Sequence, residues 1–213
     1  MVRENVQRVR EEISRSGGSH VSLVAVTKSL PLEALYVASE CGCDAVGENY
    51  IQELRAKMGD ISHGEALSIP VHFIGSIQTN KIRHICESVD LWQSVDRPSV
   101  VTELAKRSQR PVKILIQVNT TGEESKSGCE PSQIDELREL AQAQGIEVKG
   151  LMTMGPTDGD LARTRQAFRE LRHLTTTQGL EVCSMGMSGD YAIAVEEGST
   201  MVRIGQALFG SRG

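Results

Sequence analysis

The stretch "VSLVAVTKSLP" (residues 21–31) has the pattern of a buried β-strand that ends on a lysine and leads into a helix. Five of its first six residues are apolar, and a short continuous apolar run is typical of a strand covered on both faces. Pro31 stands where a helix can begin. The stretch therefore predicts a β–α unit with Lys28 at the C-terminal end of the strand.

Similar apolar runs recur at roughly even spacing along the whole chain. Strands are predicted at residues 21–27, 45–48, 71–76, 91–95, 112–118, 148–152, 180–186 and 201–205. Helices are predicted before the first strand and between the others, at residues 3–15, 31–42, 49–57, 78–87, 97–107, 131–144, 160–178 and 189–197. The helix at 160–178 has the clearest boundaries, because Asp160 can cap its start and Gly179 can end it.

This alternation of strand and helix places the chain in the α/β class with a parallel sheet. Eight rounds of it predict a closed (β/α)₈ barrel of the TIM type, with residues 1–213 as a single domain. The main alternative is an open doubly wound sheet, but no glycine-rich dinucleotide fingerprint follows the first strand. No linker divides the chain, and we expect residues 59–70 to be a loop.

The composition narrows the range of partners. Of 213 residues, 24% are charged, with a net charge of −5, which argues against a nucleic acid or an anionic membrane as partner. Aromatic residues make up only 3%, so platforms that stack bases are not expected either. We also expect no signal peptide, because the N-terminal helix pattern is charged, and no apolar run approaches the ~18 residues that a membrane span needs.

The five cysteines predict free thiols and no metal site. Their number is odd, and Cys41 and Cys43 are the only close pair, without a second cluster at zinc-ligand spacing. Free cysteines are typical of a reducing compartment, so the chain is expected in the cytoplasm.

In a barrel of this type the active site lies at the C-terminal ends of the strands. The predicted strand ends bring polar side chains to that face, namely Lys28, Glu48, Asn49, Ser76, Asn80 and Lys81. A phosphate site is often built from the loops after strands 7 and 8. There the chain has "SMGMSGD" (184–190), with small residues and the hydroxyls of Ser184 and Ser188, and then "RIGQ" (203–206), with Gly205.

A phosphate site facing a lysine suggests a ligand that carries both a phosphate and a carbonyl group. A desolvated lysine can attack a carbonyl, so pyridoxal 5′-phosphate (PLP) and sugar phosphates both qualify. Arg203 favours PLP, because the pyridine nitrogen needs an Asp or Arg partner. Structural interpretations stay open: Lys28 as a rim residue, Arg203 as an ion-pair partner, and the small-residue loop as a tight turn. His72 and Trp92 are interpreted as core residues.

Six ordered blocks, spread from about residue 20 to 210, resemble one family, the pyridoxal phosphate homeostasis proteins. The blocks are "LVAVTK", "GENYIQE", "VHFIGSIQTNK", "LIQVNTTGEESKSG", "GLMTMGP" and "MGMSGDYAIAVEEGSTMVRIGQALFG". That family is similar to the N-terminal barrel domain of alanine racemase. The resemblance implies a non-catalytic PLP-binding protein that acts in vitamin B6 homeostasis, with no catalytic residues.

The resemblance also assigns the residues of the PLP site. Lys28 is implied to hold PLP as an aldimine, a Schiff base. Arg203 would face the pyridine nitrogen, and Asn49 and Met152 would line the ring pocket. The phosphate contacts would come from Ser188, Gly205 and Gln206. Two positions depart from the family pattern, which usually has Ser or Thr in place of Gln206 and often Glu in place of Ala192.

Two other functions are weighed against a PLP carrier. A PLP-dependent amino-acid racemase needs a second base, which the racemase-like architecture takes from a second domain and a facing subunit. The chain ends at Gly213, just after the last strand, so we do not expect that domain here. A Schiff-base aldolase would want carboxylates around the lysine, and Glu48 is the strongest candidate. We expect a monomer whose partners are PLP itself and apo PLP-dependent enzymes that accept it.

Overall fold

The computed structural model describes residues 1–61 and 67–210, and within them the chain forms a closed barrel of parallel strands. The strands are β1 Ser22–Val26, β2 Ala45–Glu48, β3 Val71–Phe73, β4 Leu91–Val95, β5 Lys113–Gln117, β6 Glu147–Met152, β7 Val182–Ser184 and β8 Met201–Ile204. Each strand pairs with the next in sequence, and β8 returns to β1 with Arg203 opposite Val24. The predicted closed barrel is therefore confirmed over the open sheet.

Helices surround the barrel, largely where the sequence pattern predicts them. They are α1 Val2–Arg15, α2 Glu33–Glu40, α3 Ile51–Asp60, α4 Pro98–Arg107, α5 Ile134–Ala143, α6 Leu161–Thr177, α7 Tyr191–Glu196 and α8 Gln206–Phe209. The last of these was not predicted. The loop expected at 59–70 begins later than predicted, because α3 continues to Asp60, and residues 62–66 lie outside the described part of the chain.

The α-helix predicted at 78–87 is wrong in type. This segment forms two 3₁₀ helices, Thr79–His84 and Cys86–Ser88. Its fully buried apolar side chains are Ile82 and Ile85, which are three residues apart and so suit the three-residue turn of a 3₁₀ helix.

Two clusters of buried apolar side chains form the hydrophobic core. The larger lies mostly between strands and helices and includes Trp92, whose ring centroid is 5.4 Å from that of Phe73. The smaller lies inside the barrel and is formed by Val24, Ala45, Leu91, Leu115, Met152 and Met201. Trp92 and His72 are both buried, as predicted for core residues. The interior is thus a packed core, and a ligand must sit at its open end.

The rest of the described chain adds two observations. None of its helices combines the length and the apolar character that crossing a bilayer requires. Its five cysteines are free thiols, and all except Cys41 are buried. Burial raises the pKa of Cys43 and Cys183 to about 11 and that of Cys129 to about 12, so these thiols stay protonated at neutral pH.

Candidate functional site

A cavity of about 500 Å³ opens at the C-terminal ends of β1 and β8. Its lining residues are Val26, Lys28, Met187, Ser188, Gly189, Arg203, Gly205, Gln206 and Gly210. Five of the seven residues predicted to bind PLP meet there, although 177 positions separate Lys28 from Gly205. They come together because β8 pairs with β1 when the barrel closes.

Arg203 lines this cavity, and two neighbouring residues hold its guanidinium in place. Its side chain is buried, and its two terminal nitrogens donate hydrogen bonds to Ser184 Oγ at 2.6 Å and to the carbonyl of Thr153 at 2.8 Å. Burial lowers the pKa of Arg203 to about 10, while the nearby Asp190 acts in the opposite direction. The guanidinium therefore stays charged at neutral pH. It has five N–H donors, more than these two bonds use.

The support of Arg203 continues as a chain of hydrogen bonds through the barrel interior. Ser184 Oγ donates to Gln93 Oε1 at 2.7 Å, and Gln93 Nε2 lies 2.9 Å from His72 Nδ1. Because an amide nitrogen only donates, His72 Nδ1 must accept, and the histidine must be neutral. Burial lowers the pKa of His72 to about 4, which agrees with that role.

This series of hydrogen bonds shows that one expectation from the sequence was wrong. Ser184 was predicted to contribute a hydroxyl to the phosphate site, but it is fully buried at the end of β7 and is occupied by Arg203 and Gln93. Sequence reasoning assigned no role to Gln93 or Thr153. A signal existed for Gln93, because it is a large polar residue in the middle of the short strand LWQSV, all of whose residues are buried.

The loop after β7 keeps its predicted position beside the cavity. Gly186 has φ +99° there, and a Cβ would lie 2.6 Å from the Cβ of Ala194, so only glycine fits. The N–H of Met187 donates to Asp190 Oδ1 at 2.6 Å, so this amide is not open to an anion as the sequence suggested. Ser188 Oγ accepts the N–H of Ala207 at 3.2 Å, which leaves its own hydroxyl hydrogen to donate.

The other predicted residues lie away from this cavity. Asn49 lines a smaller cavity of about 80 Å³ together with Ser76 and Lys81. The Oδ1 atom of Asn49 is buried and has no hydrogen-bond partner among the described residues. Met152 belongs to the core inside the barrel, where it is 1% exposed. The roles of Asn49 and Met152 toward a ligand ring remain predictions.

Glu48 was expected at the mouth but is fully buried. Its Oε1 atom accepts hydrogen bonds from Lys57 Nζ and Thr27 Oγ1, both at 2.6 Å. A carboxylate committed to an ammonium group in this way is poorly suited to acid–base work on a ligand, which weakens the aldolase alternative.

The residues around the larger cavity fit PLP. An amine, a charged guanidinium and a donor hydroxyl face one space whose volume suits a small cofactor. The side chain of Gln206 is exposed, so its departure from the family pattern leaves the backbone approach at Gly205 intact. Nothing in the structure explains Ala192, which is half-buried on α7.

Comparisons with known proteins group the chain with one family. The family model described as alanine racemase, N-terminal domain, matches residues 1–213. A curated relative from Vibrio cholerae, named pyridoxal phosphate homeostasis protein, is 36% identical over 99% of this chain and 96% of its own.

Solved structures give the same grouping. PipY of Synechococcus elongatus with PLP bound is 31% identical, with a TM-score of 0.84, and the match covers 99% of this chain and all of PipY. The alanine racemase of Corynebacterium glutamicum is 21% identical, with a TM-score of 0.75, over 99% of this chain and 60% of its own, which shows a shared fold.

Proposed function

Because the chain belongs to the pyridoxal phosphate homeostasis protein family, we propose that it binds PLP without turning over a substrate and takes part in vitamin B6 homeostasis. The observation that carries the proposal is the single cavity shared by Lys28, Ser188, Arg203 and Gly205. PipY, whose whole chain is covered by the match, has been solved with PLP bound, which supports the same ligand here.

The residues that line the cavity would hold different parts of the cofactor. When bound, PLP supplies an aldehyde, which a lysine amine takes up as a Schiff base with loss of water, and an electron-withdrawing pyridine ring. Lys28 would supply the amine, and Ser188 with the backbone at Gly205 and Gln206 would hold the phosphate. Arg203 would donate a hydrogen bond to the ring nitrogen.

Arg203 also supports the absence of turnover. Its pKa of about 10 is far above that of a pyridine, so it would donate to the ring nitrogen without protonating it. An unprotonated ring is a weaker electron sink, which disfavours racemisation and transamination. The cavity rim carries the exposed residues Met187 and Gln206, so water can enter and PLP can leave.

Three further features belong to the proposal. Release of PLP to apo PLP-dependent enzymes is supported by the open rim. A cytoplasmic location is supported by the five free thiols. A monomeric state is supported by the scarcity of exposed large apolar side chains. Among the described residues there are four, Met1, Tyr50, Leu161 and Met187.

The test is the visible absorption spectrum of the purified protein after addition of PLP. We expect a yellow complex that survives gel filtration in the parent and in the Lys81→Ala control but not in Lys28→Ala. A parent protein that stays colourless, with no cofactor in its mass spectrum, would refute PLP binding. Robust Lys28-dependent racemisation of L-alanine would instead support the racemase alternative.

A further inference from the structure

Lys28 lies in a tight turn whose backbone conformation is unusual. The turn runs from Thr27 to Leu30 and is closed by the Leu30 N–H, which donates to the Thr27 carbonyl at 3.1 Å. Ser29 has φ +57° and is the one non-glycine residue with positive φ in the part of the chain that the structure describes. A serine pays a conformational cost there that glycine would not, so other contacts must hold it.

Two side chains of α3 hold this turn from both sides of Lys28. Glu53 accepts the Ser29 N–H at 2.8 Å, and Lys57 Nζ donates to the Thr27 carbonyl at 2.9 Å. Glu53 and Lys57 are four residues apart and so lie on one face of α3. Glu48 completes the set, because it accepts from both Lys57 and the Thr27 hydroxyl.

The buried Lys57–Glu48 ion pair is not explained by a gain in stability. Lys57 is 6% exposed and Glu48 is fully buried, and the desolvation of a buried ion pair can exceed the attraction between its charges. In some proteins such a pair is retained because it specifies one conformation. Here the specified conformation is the backbone that carries Lys28.

We propose that Glu53, Lys57 and Glu48 are positioning residues that hold the Lys28 turn in the conformation needed to receive the aldehyde of PLP. This inference rests on the proposed function. A turn fixed before binding avoids the cost of ordering it during binding, so the three residues act on the covalent step through Lys28. The proposed phosphate contacts and Arg203 lie on β8, at the start of α8 and in the loop after β7, and none of them is hydrogen-bonded to Glu53, Lys57 or Glu48.

The test compares PLP with pyridoxine 5′-phosphate, an analogue that carries an alcohol in place of the aldehyde. For Glu53→Ala we expect PLP affinity to fall about tenfold, as for the loss of one hydrogen bond to a charged group, with the affinity for the analogue unchanged. In the apo protein, the amide hydrogens of Ser29 and Leu30 should exchange faster. Glu33→Ala is the matched control, because Glu33 is an exposed carboxylate with no hydrogen bond to the turn.

A second variant tests whether the lost PLP affinity can be restored. Glycine adopts positive φ without strain, so adding Ser29→Gly to Glu53→Ala should recover most of the lost PLP affinity. Lys57→Met should behave like Glu53→Ala, with Arg55→Met as its control on the exposed face of α3. Because that change leaves Glu48 unpaired, Lys57→Met with Glu48→Gln is measured in parallel.

The outcomes separate this inference from the proposed function. If the parent protein binds no PLP, the proposed function fails. If the parent binds PLP but Glu53→Ala binds it equally well, or loses PLP and the analogue in parallel, only the positioning role fails. Lack of recovery by Ser29→Gly would likewise overturn it.

Discussion

Ser184 ends β7 and Ser188 lies four residues later in the loop that follows, yet their replacement by alanine should have opposite consequences. Ser184 is buried and bonds the charged Arg203 at 2.6 Å and the buried Gln93 at 2.7 Å. Ser188 is half-buried at the cavity wall, where it accepts one backbone N–H. The same chemical change therefore tests a supporting hydroxyl against a ligand-contacting one.

The expected magnitudes follow from these partners. For Ser184→Ala, the lost hydrogen bond to a charged group costs about 1.5–3 kcal/mol, and the orphaned carbonyl oxygen of Gln93 costs about 1–3 kcal/mol. A chain of this length loses about 2–4 °C of melting temperature per kcal/mol, so the apo protein should melt at least ~5 °C lower. For Ser188→Ala, the melting temperature of the apo protein should change by less than about 2 °C.

Ligand binding should show the reverse ranking. Loss of a charge-assisted hydrogen bond from Ser188 to the phosphate should cost about 1–2 kcal/mol, which weakens PLP affinity by roughly 5- to 30-fold. The assay is differential scanning fluorimetry of both apo variants, followed by spectroscopic PLP titration at a temperature where both are folded. Equal melting temperatures for Ser184→Ala and the parent protein would refute the supporting role of Ser184.

Three further predictions concern the same cavity and the barrel interior. Gly205→Asp should weaken PLP retention more than Ser188→Ala, because it adds a repelling charge and blocks the backbone approach; normal titration would place the phosphate elsewhere. Borohydride reduction of the PLP complex followed by peptide mapping should label Lys28, and a label on Lys81 would overturn that assignment. Because the pKa of His72 is lowered from 6.5 to about 4, the unfolded chain binds a proton between these values that the folded protein does not. The free energy of unfolding should therefore fall as pH decreases from 6.5 to about 4, by up to ~3 kcal/mol, and His72→Gln should lose this dependence, as urea unfolding at several pH values can show.

The sequence by itself determined the barrel and the location of its chemistry. Eight apolar runs with helical patterns between them predict a parallel closed sheet, because such strands must be covered on both faces. Once the fold is known, the rule that chemistry gathers at the C-terminal strand ends locates Lys28, Ser188, Arg203 and Gly205. All four line the cavity found in the structure.

The tertiary structure alone decided which polar residues face the ligand and which support those that do. Ser184 and Ser188 look alike in sequence, and only the closure of the barrel sends one hydroxyl inward to Gln93 and leaves the other at the cavity. In the same way, the sequence pattern of α3 does not distinguish Glu53 and Lys57 from other charged residues on a surface helix. Only the structure shows that α3 packs beside the turn that carries Lys28. The physical reason is that local patterns report the periodicity and burial of a segment, whereas hydrogen bonds between distant strands and helices depend on how the whole chain closes.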